Sequence, residues 1–262
     1  MSINPVDLYS FKTTEFDLIS NESCINDDKL INWFWAPDKN LVNKLESDLN
    51  KKNISTNIID VGCGFGNAMF PKLTHILGKD LKYNPNNLNF IDFDLDFDKF
   101  LFNDNYFNFV YCRHTLEDIQ NPQNAFAEIT RVGKQGYIET PSPLIEITKS
   151  ADQSNLRGYV HHRYIVWSDI TTNTLFFLPK YPLIESLDFN AGMTKKINHI
   201  LNNYSIYWNN YYTWDESNKP NIVVYRNEIK CNICTDYANL LNTALDKSME
   251  YTNHFIKNTI QK

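Results

Sequence analysis

The residues with the clearest chemical potential lie in the stretch "IIDVGCGFG", where an apolar run ends in Asp60 and alternating glycines follow. Gly62, Gly64 and Gly66 let the chain turn sharply and bring backbone N–H groups close to a ligand, because no Cβ stands in the way. A second acidic residue, Asp80, follows the next apolar segment. This pattern is typical of a loop that binds a nucleotide-containing cofactor.

Two classes of protein use such a loop: dehydrogenases that bind a dinucleotide, and proteins that bind S-adenosylmethionine. The dinucleotide fingerprint requires a glycine where this sequence has Asn67. The carboxylate of Asp60 would repel a pyrophosphate but could anchor a cationic amino group. Pro71 leaves room for little more than one helical turn as an anion site. These features favour S-adenosylmethionine, and a dehydrogenase is the weaker alternative.

The segment "IIDVGCGFG" resembles the first motif of class I S-adenosylmethionine-dependent methyltransferases. A second segment, "FNFVYCRHTLEDIQNPQNAFAEITRVGKQGYIETPSP", resembles the fourth-strand, helix and fifth-strand region of the type 11 group of small-molecule methyltransferases. The resemblance covers residues 57–143. Several motifs in the same order are more specific than one glycine loop, so the resemblance implies a methyltransferase.

The resemblance also implies which residues bind the cofactor. Those assigned to its methionine portion are Asp60, Gly62, Cys63, Gly64 and Gly66. Asp80 matches the acidic residue that binds both ribose hydroxyls. Asp94 matches the acceptor for the adenine amine, although neighbouring Asp92 and Asp96 leave that register open. The residues expected to line the cofactor after the fourth strand are Cys112, Arg113 and His114.

The sequence departs from the family pattern at Glu117-Asp118, where many relatives have Glu-His. An acid–base imidazole is therefore absent from this position. We expect any proton transfer to depend on residues elsewhere in the chain.

The segment "RGYVHHRY" is the strongest candidate for the acceptor site. Methyl transfer to a hydroxyl requires alignment of the acceptor and removal of its proton, for which histidine has a suitable pKa. We predict His162 or His161 as the base, with Glu139 at the end of the fifth strand orienting the acceptor. In an extended segment adjacent side chains face opposite ways, so only one histidine is expected to face the site. The residues predicted to bind the acceptor are Arg157, Tyr159 and Arg163.

Two segments resemble metal sites, and we expect no metal at either. The carboxylates of "IDFDLDFD" alternate with apolar residues, which is typical of a solvated strand edge. The Cys-x-x-Cys of "CNIC" has no second pair and no histidine nearby.

The charge and composition of the sequence limit the partners and the location that we expect for the protein. A net charge of −6 argues against sequence-independent binding of nucleic acid. No apolar run is long enough to span a membrane, the N-terminus lacks a signal peptide, and the five cysteines show no disulfide spacing, so we expect a cytoplasmic protein. Oligomeric state stays open, a homo-oligomer included.

The alternation of strand-like and helix-like segments predicts an α/β, Rossmann-like methyltransferase fold: a mostly parallel sheet with helices on both faces, plus a β-hairpin insertion and a C-terminal helix. We expect a single domain, 1–262. Within it, 1–56 form an N-terminal arm and helix, 57–143 the cofactor-binding core, and 144–262 the acceptor-side insertion, the final strands and the C-terminal helix. "SIYWNNYYTW" and "NIVVYR" are predicted to pair with each other.

The leading hypothesis is therefore an S-adenosylmethionine-dependent methyltransferase that acts on a small molecule, with a hydroxyl of a sugar or nucleotide sugar in glycan biosynthesis as the first candidate. An RNA or protein methyltransferase is one alternative. A non-catalytic cofactor-binding or scaffold protein is another, which the altered Glu117-Asp118 position permits.

Overall fold

The computed structural model describes residues 47, 51, 57–62, 75–77, 89–91, 93–149, 151, 156–182, 184, 191–218, 220–226 and 233–260. Its main sheet has six strands. They are β1 (Ile58–Val61), β2 (His75–Leu77), β3 (Asn89–Ile91), β4 (Phe109–Arg113), β5 (Gly136–Pro141) and β8 (Asn209–Trp214).

The strand order is β3-β2-β1-β4-β5-β8, and every neighbouring pair is parallel except β5 and β8, which are antiparallel. β1 and β5 are buried along their whole length, as expected for central strands covered on both faces. The chain adds β2 and β3 on one side of β1 and then crosses to the other side of β1 to form β4 and β5. The direction in which strands are added therefore reverses between β1 and β4. In such sheets ligands bind beyond the carboxyl ends of the strands at this reversal.

Helix α1 (Pro122–Val132) connects β4 to β5. Proline occupies its first turn, where a missing N–H costs nothing. Gly133 ends it, and the Gly133 N–H donates to the carbonyl of Ile129 at 3.1 Å. Its buried side chains, Ala125, Phe126, Ile129 and Val132, recur at helical spacing and form its apolar face.

Alternation along the strands divides the core into two clusters, one on each face of the sheet. On one face Ile59, Val61 and Val110 pack with α1. On the other face Ile58, Tyr111 and Tyr137 pack with three further helices: α2 (Pro143–Ile147), α3 (Ala191–Asn203) and α4 (Ile233–Phe255). The prediction of helices on both faces is confirmed.

The second half of the chain adds a three-stranded sheet of order β6-β7-β9, made of β6 (Tyr164–Asp169), β7 (Thr174–Pro179) and β9 (Asn221–Val224). β6 and β7 form the predicted antiparallel hairpin. The predicted pairing of the last two strands is wrong, because β8 extends the main sheet beside β5 whereas β9 lies parallel to β7. Both strands are rich in aromatic and β-branched residues, which favour a strand but do not select its partner.

The predicted C-terminal helix is confirmed as α4, which continues into a π-helical turn at Ile256–Ile260. A 3₁₀ turn at Ser205–Trp208 links α3 to β8. The predicted N-terminal arm and helix within 1–56 lie outside the described residues, apart from helical positions at Ser47 and Lys51. The single-domain organisation stays a prediction. Across the described helices, none combines the length and apolar character needed to cross a bilayer.

Candidate functional site

The site is built around the carboxyl ends of β1, β4 and β5. Gly62 follows β1 with a φ of 76°, a left-handed conformation that glycine adopts without strain. A Cβ at this position would lie 2.0 Å from the Thr115 hydroxyl, so the packing also requires glycine. The Thr115 hydroxyl donates to the carbonyl of Arg113 at 3.0 Å and lies 3.5 Å from that of Gly62. This threonine therefore joins the turn after β4 to the start of the glycine loop.

Asp60 lies in β1 opposite Tyr111 of β4, and its side chain is 5% exposed. Burial raises the pKa of Asp60 to about 8, although the positive charge of Arg113 opposes the shift. A cationic group placed beside such a buried carboxyl group would stabilise its charged form. Its position is consistent with the predicted contact to an amino group.

A second carboxylate, that of Glu139, is held in its charged form on the same face of the sheet. Arg113 Nε donates to Glu139 Oε1 at 2.9 Å, and the Tyr137 hydroxyl donates to Oε2. Burial alone would raise the pKa of Glu139, but Arg113 and the other hydrogen-bond donors lower it to about 2. Glu139 is the residue predicted to orient the acceptor, and both of its carboxylate oxygens already accept hydrogen bonds from Arg113 and Tyr137.

His114 and Cys112 lie where the sequence places them, at the end of β4. His114 adopts a φ of 47°, unusual for a residue with a Cβ, and is buried. Burial and the Arg113 charge lower the pKa of His114 to about 4, so its ring is neutral at pH 7. Cys112 is a buried free thiol whose pKa is raised, mainly by burial. These shifts give both residues neutral side chains at the edge of the cofactor site.

The segment "RGYVHHRY", residues 157–164, is the acceptor segment, and it packs directly on the turn after β4. The backbone N–H groups of Arg163 and Tyr164 both donate to the carbonyl of Glu117, at 2.8 and 3.2 Å. Arg163 Nε donates to the carbonyl of Asp118 at 2.9 Å. The two segments that the sequence singles out for cofactor and acceptor therefore meet in one place.

His162 is fixed by a buried chain of charged groups. Its Nδ1 lies 2.5 Å from Glu146 Oε1, and Lys180 Nζ donates to Glu146 Oε2 at 2.7 Å. Burial would raise the pKa of Glu146, but His162 and Lys180 lower it, so Glu146 is a carboxylate. Because a carboxylate only accepts, Nδ1 of His162 carries the hydrogen and Nε2 points elsewhere.

Nε2 of His162 and of His161 both approach the same carboxylate oxygen, Asp118 Oδ1, at 3.8 and 3.9 Å. The two rings are edge to face with centroids 4.5 Å apart. The segment forms a turn at 160–161 and not the extended strand assumed from the sequence, which brings both rings to Asp118. Which histidine faces the acceptor stays a prediction. His161 remains 63% exposed, whereas the His162 side chain is 1% exposed.

Glu117 lies beside this cluster without hydrogen bonds to its carboxyl oxygens from any residue that the structure describes. The Nδ1 atom of His114 lies 3.6 Å from Oε1 of Glu117. Burial raises the pKa of Glu117 to about 8, although the charge of His162 opposes the shift. Glu117 is therefore a neutral acid at pH 7 and can donate a hydrogen bond.

The other residues predicted to bind the acceptor are tied to the backbone. Arg157 Nη1 donates to the carbonyl of Ile147 at 2.7 Å. The buried Tyr159 contacts the His162 ring, with centroids 4.7 Å apart, and its carbonyl accepts from Lys180. Their contacts hold the acceptor segment in place, and binding of the acceptor by these residues stays a prediction.

Several predicted cofactor residues, Cys63, Gly64, Gly66 and Asp80, lie outside the described residues, as do Asp92, Cys231 and the side chain of Cys234. Asp94 lies in a tight turn, where its Oδ1 accepts from the N–H of Asp96 at 3.1 Å. Asp96 Oδ1 in turn accepts from the N–H of Asn121 at 2.6 Å. The adenine contact of Asp94 stays a prediction.

Sequence reasoning missed Glu146, Lys180 and Thr115. Glu146 is the one detectable from its context, since it is a charged residue in the otherwise apolar helix "PLIEI". A buried carboxylate in such a run requires a partner, which a search for cationic or imidazole groups could have addressed.

The sheet order, the buried Asp60 and the left-handed Gly62 define the class I methyltransferase fold. A sequence model described as a methyltransferase domain matches residues 34–171, more than half of the chain. The chain belongs to this family of methyltransferase domains, for which S-adenosylmethionine is the cofactor.

Several solved structures match part of the chain. One is a candidate methyltransferase from Bacillus halodurans C-125, with 23% identity, 37% of this chain and 52% of that chain covered, and a TM-score of 0.28. Another is an S-adenosylmethionine-dependent methyltransferase from Mesorhizobium loti, with 13% identity, coverages of 52% and 64%, and a TM-score of 0.32.

A third structure is an S-adenosylmethionine-dependent methyltransferase from Aquifex aeolicus, with 18% identity, coverages of 45% and 74%, and a TM-score of 0.30. Among the first matches the chain spans about half to under two thirds of the partner's length. No curated protein matches the chain. The family assignment rests on the sequence model and the sheet order.

The described part of the site fits this cofactor. Asp60 offers a buried carboxyl group, and the backbone leaves β1 through a glycine that no other residue can replace without strain. His114 at the neighbouring strand end has a neutral ring at pH 7, whereas the Cys112 side chain packs in the apolar cluster with Val61 and Val110.

Proposed function

We propose that this protein transfers the methyl group of S-adenosylmethionine to a hydroxyl of a small molecule, with a sugar or nucleotide sugar used in glycan biosynthesis as the first candidate. The observation that carries the proposal is the contact between the two halves of the site. Thr115 touches Gly62, and three residues later Asp118 faces His161 and His162.

S-adenosylmethionine, when bound, supplies an electrophilic methyl group. The residues proposed to hold it are those of the glycine loop, with Asp60 near the amino group, Asp80 at the ribose and Asp94 at the adenine. Cys112, Arg113 and His114 are proposed to form its wall beyond β4. Their contribution is to fix the direction from which an acceptor can approach, which supplies much of the rate in such displacements.

The acceptor hydroxyl must lose its proton, and His162 is the leading candidate for the base. Glu146 holds its Nδ1 hydrogen, which leaves Nε2 as the atom that can accept a proton. His161 offers a second imidazole whose ring is more exposed. These two histidines provide the imidazole that the Glu117-Asp118 sequence lacks.

Glu139 is proposed to act through Arg113 instead of through the acceptor. Its carboxylate binds Arg113 and Tyr137, so it positions the end of β4 against β5. Arg157, Tyr159 and Arg163 are proposed to shape the acceptor side. The cytoplasmic location and the absence of nucleic-acid partners stay predictions from the sequence.

The test is a methyl-transfer assay with labelled S-adenosylmethionine against a panel of sugars and sugar nucleotides, using the wild type and His162→Asn. Asparagine keeps an N–H near Glu146 and removes Nε2. We expect kcat to fall by about 10²–10⁴-fold in the variant, the usual contribution of a positioned base, while cofactor binding is unchanged. Undiminished turnover in His162→Asn would remove the base from the proposal.

The panel also includes RNA and protein acceptors, the alternative acceptors for this fold. Turnover of an RNA or protein in preference to every sugar would contradict the small-molecule proposal. Tight cofactor binding with no turnover of any acceptor would favour a scaffold protein.

A further inference from the structure

We propose that Asp118, His161 and His162 form a binding site for a divalent transition-metal ion. Each of these residues offers one ligand atom, and the three atoms lie within 4.8 Å of one another. They come from two separate segments, the turn after β4 and the turn before β6. The site is thus created by the fold and could not be read from the spacing of the sequence.

The distances suit a small ion. In a tetrahedral site with bonds of about 2.1 Å, ligand atoms lie about 3.4 Å apart. The two imidazole nitrogens lie 3.8 and 3.9 Å from Asp118 Oδ1, and the remaining pair of ligand atoms lies within 4.8 Å, so coordination would draw the ligand atoms together by between about 0.4 and 1.4 Å. His161 is exposed enough to make such a shift at little cost.

The orientation of His162 is the second, independent observation. Metal-binding histidines commonly donate the hydrogen of the other ring nitrogen to a carboxylate, which fixes the ring and raises its basicity. His162 Nδ1 has such a contact with Glu146, and Lys180 fixes Glu146 from the other side. Nε2 is thereby aimed at Asp118.

Asp118 supplies the third observation. Its Oδ1 is buried and has no hydrogen-bond donor among the residues described, although its residue is only half-buried. A buried carboxylate oxygen needs a donor or a cation. An ion between Oδ1 and the two imidazoles would satisfy it.

Two imidazoles and one carboxylate favour Zn²⁺, Fe²⁺ or a similar ion over Mg²⁺ and Ca²⁺, which prefer oxygen ligands. Three protein ligands leave at least one coordination position open, as in catalytic metal sites. Asp118 itself belongs to the turn after β4, and Thr115 of the same turn lies 3.5 Å from the Gly62 carbonyl. We infer that the ligand of the open position is an oxygen of the acceptor.

The role in the reaction rests on the proposed function. A bound ion would lower the pKa of an acceptor hydroxyl, whose proton would pass to solvent. The oxygen would then bond to the methyl carbon as the carbon–sulfur bond of S-adenosylmethionine breaks, with S-adenosylhomocysteine as the leaving group. The histidines then act as ligands, so the metal-bound and metal-free proteins activate the acceptor in different ways.

The test is a calorimetric titration of chelator-treated full-length protein with ZnCl₂, comparing the wild type with His161→Ala and Asp118→Asn. We expect one Zn²⁺ per chain in the wild type and at least ~10-fold weaker binding in each variant. His161 is largely exposed, so its substitution is not expected to disturb folding. His199→Ala is the matched control, since His199 is an exposed histidine of α3, and it should bind Zn²⁺ as the wild type does.

X-ray absorption of the zinc-loaded wild type should show nitrogen and oxygen neighbours at about 2.0–2.2 Å with imidazole outer-shell scattering. Millimolar Mg²⁺ should not displace the ion. Absence of stoichiometric binding, or equal affinity in His161→Ala, Asp118→Asn and wild type, would overturn the site.

Binding of S-adenosylhomocysteine, measured on the same samples, separates this inference from the proposed function. Loss of metal binding with cofactor binding intact would overturn the metal site alone. Metal binding without cofactor binding would overturn the proposed methyl transfer, including the role given to the ion, and leave the site itself standing.

Discussion

Asp60 is the residue whose protonation connects most directly to cofactor binding. With a pKa of about 8, roughly nine in ten of its carboxyl groups are protonated at pH 7 in the free protein. A cationic amino group placed beside it would favour the carboxylate and lower the pKa. Cofactor binding at pH 7 should therefore release up to about 0.9 proton per chain.

Calorimetry in two buffers with different ionisation enthalpies measures this proton directly. The observed binding enthalpy should differ between the buffers for the wild type and be the same in both for Asp60→Asn. The release should fade above about pH 9, where Asp60 of the free protein is already ionised. Equal enthalpies in the two buffers for the wild type at pH 7 would argue against an ionic contact at Asp60.

Glu139 has the opposite shift and affects stability instead of binding. Its pKa falls from 4.5 to about 2 on folding, so its carboxylate contributes stability that is present above pH 4.5 and is lost as the pH falls towards 2. Glu139→Gln leaves the buried Arg113 without its charged partner. We expect a loss on the order of 3 kcal/mol in the free energy of unfolding at pH 7.

Urea denaturation at several pH values tests this prediction. The difference between wild type and Glu139→Gln should be largest near neutral pH and shrink below pH 4.5. Glu216→Gln, at an exposed position after β8, serves as control and should change stability by less than about 0.5 kcal/mol. A difference independent of pH would mean that Glu139 stabilises the fold by packing and not by charge.

At the scale of the element, α2 and the acceptor segment form one structural unit. Gly158 has a φ of 60°, and a Cβ there would lie 2.3 Å from Glu146 Oε2 and 2.6 Å from its carbonyl oxygen. Gly158→Ala should therefore displace Glu146 and, through it, His162. We expect a loss of about 1–3 kcal/mol in the free energy of unfolding, the usual result of a forced clash at a left-handed position.

Chemical denaturation and the imidazole NMR signals of His162 check this expectation. Asn105→Gly is the matched control, because Asn105 also has a positive φ of 56° and glycine relieves its strain. It should be neutral or slightly stabilising. A Gly158→Ala protein with wild-type stability and unchanged His162 signals would show that α2 and the acceptor segment are not coupled.

The elements that sequence analysis predicted well are those with strong local signals. β1, β4 and β5 are short, largely buried segments with apolar or aromatic residues at most of their first positions, and α1 has a proline at its start and a glycine after its end. The predicted pairing of β8 with β9 is wrong, because a strand rich in aromatic residues can pack equally well beside several other strands. Pairing is decided by the closure of the whole core, where β8 completes the main sheet beside β5.

The residues of the candidate site show the same difference between local sequence signals and long-range contacts. Asp60 and Gly62 stand in a local pattern of an apolar run followed by glycines, and the family resemblance points to the residues after β4; their contacts with the cofactor stay predictions. The cluster of Asp118 with His161 and His162 was missed as a unit, since its members are far apart in the chain and the histidines were assumed to lie on a strand. The turn at 160–161 is what brings both rings to one carboxylate.

At the scale of the whole molecule, the two faces of the main sheet contact different parts of the chain. One face packs α1 and the aromatic residues between β3 and β4. The other contains Asp60, Arg113 and Glu139 beside the helices contributed by the second half of the chain. The second half thus covers the face from which the charged part of the site is built, and its turn at 157–163 adds the acceptor side.

The central claim is that this site binds S-adenosylmethionine, and calorimetric titration with S-adenosylhomocysteine tests it most directly. The wild type should bind with a micromolar Kd, in preference to a nicotinamide dinucleotide, and Asp80→Ala should weaken binding by ~10-fold or more, about 1.4 kcal/mol. A folded wild-type protein that binds no S-adenosylhomocysteine, or that prefers the dinucleotide, would contradict the account.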